Sequence, residues 1–360
     1  VIKRIGVLTG GGDAPGLNAV IRAVVLTAKN RYQWEVIGIR EGFDGLLEGL
    51  PTIVFDESDV RDLLARGGTI LGAANRGDPF ARPQKQPDGT TVNIDVSDQA
   101  LARIKALGLD ALIVAGGDGT MTIAQKLVDM GAPIIGVPKT IDNDLGETDV
   151  TFGFDTAINT ATEALEKLQT TAESHHRVMV LEVMGRNAGW IALNAGVAGG
   201  ADAILIPEIP FDIKVVCQKI RDLRTEKQHY SLIVVAEGAK PIDGEHVYLF
   251  EDAAENKRRL GGIGSAVGQL IAEHIENEIR VTVLGHVQRG GQPTPRDRLL
   301  ATCFGAAAVQ LVAEGRWGYM VALQGTRFVT VPISEATKMK FVDPNGDLVQ
   351  MARDLGIVFG

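Results

Sequence analysis

Asp142 and Asp144 stand two residues apart in Pro138-Lys139-Thr140-Ile141-Asp142-Asn143-Asp144, directly after the apolar run Ile134–Val137. In an extended segment, residues two apart point the same way. Such carboxylates can divide work, one as general base toward a hydroxyl and one helping to hold a metal. The same residue types also make an Asx-rich turn. Asp118 sits among glycines in Gly116-Gly117-Asp118-Gly119-Thr120, again after an apolar run, with a helix expected from about Met121 to Met130. It could hold Mg²⁺ beside a phosphate chain cradled by the glycine amides, or it could close an Asp-Gly turn at a helix cap. A third turn, Thr9-Gly10-Gly11-Gly12-Asp13-Ala14-Pro15-Gly16, precedes a helix expected near Leu17 or Asn18. Consecutive glycines let backbone approach an anion, and the helix start adds N–H groups and a positive dipole end. The turn lacks the Gly-Lys-Ser/Thr ending of a Walker loop and the spacing of the dinucleotide fingerprint.

Phosphates would need fixed positive charge, because the chain carries a net charge of -9. That balance argues against a nucleic-acid partner. Arg186 in Met184-Gly185-Arg186 and Arg289 in Gln288-Arg289-Gly290-Gly291 neighbour glycines at strand ends, where a guanidinium fork suits phosphate. Arg177 and Arg280 precede or begin strands. His286 suits a proton shuttle or a positioning hydrogen bond. Glu237 suits sugar hydroxyls or a cap.

The elements that must hold these groups are legible as apolar runs. Eight are Ile5–Leu8, Val36–Ile39, Ala111–Val114, Ile134–Val137, Val178–Leu181, Ala203–Ile206, Leu232–Val235 and Val281–Leu284. Continuous rather than alternating apolarity marks strands buried on both faces. Helical patterns lie between them, such as Ser97 to Gly108, with Ser97 placed to cap and Gly108 to end the helix. Alternating strands and helices imply parallel α/β layers, with the loops after the strands on one ligand-binding edge. A length of 360 residues suggests about two domains. Pro79–Gly89 reads as an exposed excursion. Cys217 and Cys303 have no metal-ligand spacing, and no apolar run approaches the ~20 residues of a membrane span. A cytoplasmic protein is expected. Glycine is in excess, at 43 of 360 residues against a usual ~7%, and the strand-end turns supply a reason for it.

Together these residues resemble the 6-phosphofructokinase family. The most specific segment is Arg280-x4-Gly285-His286-x-Gln288-Arg289-Gly290-Gly291-x5-Asp297-Arg298. The Gly11–Gly16 loop, the Gly116–Thr120 turn, the Thr140–Asp144 turn and Met184-Gly185-Arg186 follow the family's order. The resemblance implies two Rossmann-like three-layer α/β domains with mostly parallel sheets and an active site in the inter-domain cleft. The expected domains are 1–153 plus 288–338, binding the phosphoryl donor, and 154–287 plus 339–360, binding fructose 6-phosphate. It implies Mg²⁺-dependent transfer of a phosphoryl group to O1 of fructose 6-phosphate. Asp142 matches the general base, with Thr140 beside it, and Arg186 matches the stabiliser of the transferring group. Gly11, Arg76, Gly117, Asp118, Gly119, Thr120 and Lys139 match donor-side positions, and Asp118 and Asp144 the metal region. Met184, Gly185, Glu237, His286 and Arg289 match sugar-phosphate contacts. Arg177 and Arg280 match contacts supplied by a neighbouring subunit, in a family commonly homotetrameric. Rival readings are a non-catalytic sugar-phosphate sensor, a nicotinamide-dependent dehydrogenase, and a lipid kinase sharing the Gly-Gly-Asp-Gly-Thr turn.

The donor signature is mixed. Gly119 is of the ATP type, whereas pyrophosphate-dependent relatives usually carry aspartate there. Lys139 is of the pyrophosphate type. An aspartate at 119 would crowd and repel the nucleotide's α-phosphate, so ATP is the expected donor and pyrophosphate the alternative. Arg22 matches one arginine of the ADP-responsive relatives' effector pocket. Leu26 and the arginine-free Ile53–Ser58 imply that this pocket is lost or altered.

Overall fold

The computed structural model describes residues 2–74, 77–226, 228–252 and 257–360. All eight apolar runs form strands, and the chain divides into two compact units. The first unit comprises Val1–Thr140, Leu145–Asp155 and Arg289–Met339. Its sheet has seven strands, in the order Arg327–Pro332, Tyr319–Gln324, Ile134–Pro138, Ala111–Gly116, Arg4–Thr9, Glu35–Ile39 and Ile53–Val54. The inner pairings are parallel and the two outermost antiparallel. The central strands are apolar throughout because helices cover both faces. On one face Leu8, Leu112, Val114, Ile134 and Met320 pack against the helices Gly42–Glu48, Ser97–Ala106 and Asp118–Asp129. On the other lie Leu17–Thr27 and Pro295–Ala313, which pack on each other closely enough that a Cβ at Gly305 would lie 2.8 Å from Ala23 Cβ. In the ladder Thr9 stands opposite Ala115 and Gly116 opposite Pro138. The three chemically suggestive turns therefore leave one edge of one sheet, as the sequence implied.

The second unit comprises Ile141–Asp144, Thr156–Gln288 and Lys340–Gly360. Its main sheet has four strands, all parallel, in the order Ile279–Val283, Val178–Val183, Ser231–Ala236, Ala203–Leu205. Val180, Leu205, Ile233 and Val235 pack against helices Ile213–Thr225 and Ile263–Ala272. Trp190–Ala198 covers the opposite face, where Gly196 abuts Ile204 and Gly199 abuts Leu165 of the helix Phe154–His175. The C-terminal stretch folds onto this unit. It forms the helix Asp347–Asp354, and Val358 then pairs with Ala203 in parallel.

Several local expectations change. The helix after Gly116 starts at Asp118 rather than near Met121, with Gly117 at its N-cap. Ser97 opens its helix without capping it; instead its N–H donates to Asp95 Oδ1 at 2.9 Å. Within the Pro79–Gly89 excursion, Arg82–Lys85 forms a hairpin with Thr91–Ile94, an exposed two-stranded ribbon. The division also differs from the expected one by placing Ile141–Asp144 with the second unit.

Candidate functional site

In the first unit the turn after Arg4–Thr9 is fixed from several sides. Gly10 N–H donates to Ala115 O at 2.9 Å, and Gly11 adopts φ 72, in the left-handed region that glycine enters freely. Lys139, buried with 3% exposed, donates from Nζ to Gly12 O. Arg289 Nη1 donates to Asp13 O at 3.1 Å. Two cations thus sit on consecutive carbonyls of the glycine turn. The second turn packs against the first through Thr120, whose side chain fills the space where a Cβ on Gly10 or Gly116 would fall. At these two glycines the packing of Thr120 by itself requires the missing Cβ.

Gly119 is different. It is exposed, its φ is not positive, and an added Cβ would meet nothing within 4 Å. The fold does not require glycine there. Gly117 precedes the helix Asp118–Asp129 without a side-chain cap, so the first-turn amides around Asp118, Gly119 and Thr120 suit an anion. Thr140 O accepts a hydrogen bond from Thr151 Oγ1 at 2.7 Å, which secures the strand end. Arg76 lies outside the described residues.

In the second unit Asp142 and Asp144 are buried, with 2% and 1% exposed. Asn143 between them has φ 53, a left-handed conformation that asparagine tolerates better than most residues. Arg186 Nε lies 3.7 Å from Asp142 Oδ2. Arg186 itself adopts φ 52 after Gly185 at φ 143, a tight turn closed by Ala188 N–H on Gly185 O at 3.0 Å. Neighbouring strand ends hold this turn. Glu237 Oε1 accepts from Arg186 N–H at 3.0 Å, and the fully buried Gln288 accepts from Met184 N–H at 2.8 Å. Gly238 must be glycine, because a Cβ there would strike Arg186 O. His286 is exposed in the 3-10 turn Gly285–Arg289.

Burial pushes the Glu237 carboxyl above its ordinary range; the Arg186 N–H bond opposes this and nearby Asp142 adds to it. The sign follows from linkage. A carboxyl whose folded pKa is raised binds protons more readily folded than unfolded, so the native state loses stability as pH rises from the ordinary glutamate value through the raised one. Glu237→Gln is therefore expected to raise the melting temperature at pH 8 and to leave it unchanged at pH 4. Thermal melts at the two pH values test this, and an equal shift at both would contradict it.

Arg177 and Arg280 are not brought to this cluster. Both pair with Glu278. They lie where the strands Val178–Val183 and Ile279–Val283 begin, whereas Met184–Arg186 and His286 follow where those strands end. Six residues at ~3.3 Å each put about 20 Å between the two ends. Within one chain the two arginines stand toward the other end of these strands from the Arg186 turn.

Sequence reading misses several supports: Gln288 as a turn-holder, Lys139 as a clamp, and Glu208, which accepts from both Gly189 N–H and Val342 N–H at 3.0 and 2.9 Å. Only long-range pairing reveals them. Among the described residues no group of three or more acidic, histidine or cysteine side chains could hold a metal. Mg²⁺ that binds through one or two carboxylates plus substrate phosphates needs no such cluster. Asp118, at the first turn of its helix, fits that mode. No helix among the described residues is long and apolar enough to cross a membrane.

Comparison with known proteins identifies the family. The family model "Phosphofructokinase" matches residues 4–312. An "ATP-dependent 6-phosphofructokinase" of Chloroflexus aurantiacus is 55% identical over 99% of this chain and 98% of its own. A "Pyrophosphate--fructose 6-phosphate 1-phosphotransferase" of Streptomyces coelicolor is 50% identical over 99% of this chain and 100% of its own. The solved phosphofructokinase of Saccharomyces cerevisiae superposes with a TM-score of 0.78 at 33% identity, over 93% of this chain; the chain spans 45% of that longer one. With motif order, fold and relatives in agreement over nearly its whole length, the chain belongs to the phosphofructokinase family.

Proposed function

We propose that this protein is an ATP-dependent 6-phosphofructokinase of glycolysis, transferring the γ-phosphoryl group of ATP to O1 of fructose 6-phosphate. The products are fructose 1,6-bisphosphate and ADP. The observation that carries the reading is the buried Asp142 with the Arg186 guanidinium 3.7 Å away. One group takes a proton while the other meets negative charge, which is what phosphoryl transfer asks of a protein besides positioning.

Asp142 takes the proton of the 1-hydroxyl as the O1–phosphorus bond forms and the bond from the γ-phosphorus to the bridging oxygen breaks. Arg186 balances charge on the transferring group. Thr140, two residues from Asp142 in the chain, orients the acceptor. Met184, Gly185, Glu237, His286 and Arg289 bind fructose 6-phosphate. Gly11, Gly117, Gly119, Thr120 and Lys139 bind the donor phosphates. Mg²⁺, held by Asp118 with Asp144 in support, supplies charge neutralisation to the donor phosphates when bound. Arg177 and Arg280, remote from Arg186 in their own chain, serve a neighbouring subunit's fructose 6-phosphate in a cytoplasmic homotetramer.

Gly119 supports the ATP reading, because nothing in the fold requires a glycine at this helix start. The pyrophosphate reading rests on Lys139 and on the Streptomyces coelicolor relative. Here the Lys139 ammonium reaches Gly12 O, which gives it a purpose with either donor. Coupled assays with fructose 6-phosphate and each donor test the proposal. Turnover with ATP is expected; turnover with pyrophosphate alone overturns the donor, and turnover with neither overturns the function.

A further inference from the structure

The Ile141–Asp144 segment is short, buried and passes through a left-handed asparagine, so something must hold it in place. The C-terminal stretch does so. Lys340 N–H donates to Asp144 O at 2.8 Å, and Lys340 Nζ donates to Asn143 Oδ1 at 3.3 Å. The same ammonium lies 5.5 Å from the centre of the Trp190 ring, and the Trp190 indole N–H donates to Lys340 O at 3.0 Å. Trp190 begins the helix that follows the Met184–Arg186 turn. Two residues past Lys340, Glu208 joins Val342 N–H to Gly189 N–H, the residue before Trp190. One lysine thus contacts the segment carrying Asp142 and the helix start that follows Arg186.

We infer that Lys340 is a positioning residue for the phosphoryl transfer. Its ammonium clasps the Asn143 side chain beside Trp190, while its backbone N–H holds Asp144 O, and so fixes Asp142 in register with Arg186. A cation stacked on an aromatic face and anchored through its own carbonyl has little rotational freedom. The clasp also gives the C-terminal stretch a part in the reaction. The inference rests on the proposed kinase reading for its rate effect, but not for its structural effect.

Lys340→Met keeps the stem and removes the ammonium. The expected result is a kcat lower by about tenfold, with KM for fructose 6-phosphate and ATP within about twofold of the parent, because misplacement of a catalytic group costs rate more than binding. Lys340→Arg restores most of the rate, since it keeps the charge over Trp190. Hydrogen exchange of the 141–146 amides quickens in Lys340→Met. Trp190→Phe keeps a ring beneath the ammonium and removes only the indole donor. It moves kcat in the same direction by less, and takes the place of Lys340→Met should that variant fail to fold. A kcat within twofold of the parent in the folded variant overturns the inference. Should the parent turn over neither donor, the kinase reading fails, and exchange at 141–146 alone decides the clasp: unchanged exchange overturns it.

Discussion

Gly119→Asp is expected to lower kcat/KM for ATP by about 10²–10³-fold while leaving the protein as stable as before or slightly more so. The two halves of that expectation have separate causes. Position 119 is exposed and a Cβ there meets nothing within 4 Å, so the side chain costs the fold nothing. It falls in the first turn of the helix Asp118–Asp129, where a carboxylate is favourable to the helix dipole by a few tenths of a kcal/mol. The same carboxylate occupies the end of the helix at which donor phosphates are proposed to bind. Two like charges about 4 Å apart at an effective dielectric near 20 repel by about 4 kcal/mol, and partial screening brings that to the stated range. The loss falls on KM for ATP more than on KM for fructose 6-phosphate. Pyrophosphate, which has no α-phosphate, loses less. Initial rates with both donors and a thermal melt give the result; an ATP kcat/KM within threefold of the parent would remove Gly119 from donor choice and return weight to Lys139.

Position 119 also shows what a sequence discloses and what it withholds. The eight strands are legible because continuous apolar runs have few other uses, although Ile279–Val283 lies at a sheet edge with Val281 and Val283 exposed rather than buried on both faces, and their order with the helices points to a parallel sheet with ligand loops on one edge. The glycines are legible only as a group. Gly10 and Gly116 look like phosphate cradles in sequence, yet Thr120 claims their missing Cβ atoms. Gly238 carries no motif signal at all and is required by Arg186 O. Asp142, Asp118 and Arg186 stand in short local signatures, each a charged residue among glycines or turn-formers just past a strand. Their supports have no such signature, because Gln288 reaches Met184 across 104 residues and Lys340 reaches Asn143 across 197. Separation of that size is set by tertiary packing, which no short spacing encodes. The edge strands escape for another reason: Arg327–Pro332, Arg82–Lys85 and Thr91–Ile94 are largely exposed, so their residues carry no continuous apolar pattern.

Asp142→Asn is expected to lower kcat by about 10²–10⁴-fold, the usual worth of a general base, with fructose 6-phosphate binding retained within a few-fold. The substitution conserves shape at a side chain only 2% exposed, so the turn from Thr140 to Asp144 keeps its packing. What disappears is the carboxylate proposed to accept the 1-hydroxyl proton. The amide also removes the negative charge facing Arg186 Nε at 3.7 Å. A guanidinium released from that pair is better placed for anions, so binding of the doubly charged sugar phosphate holds or tightens slightly. Arg186→Ala separates the two contributions: it lowers kcat while leaving the base in place, and the double variant falls well short of the product of the single losses, because groups acting as a unit are not additive. Rate and calorimetric binding on the same preparations carry the test. A lost affinity with a nearly unchanged rate would make Asp142 a binding carboxylate, and the search for the base would move to its neighbour Asp144, which shares its segment and its burial.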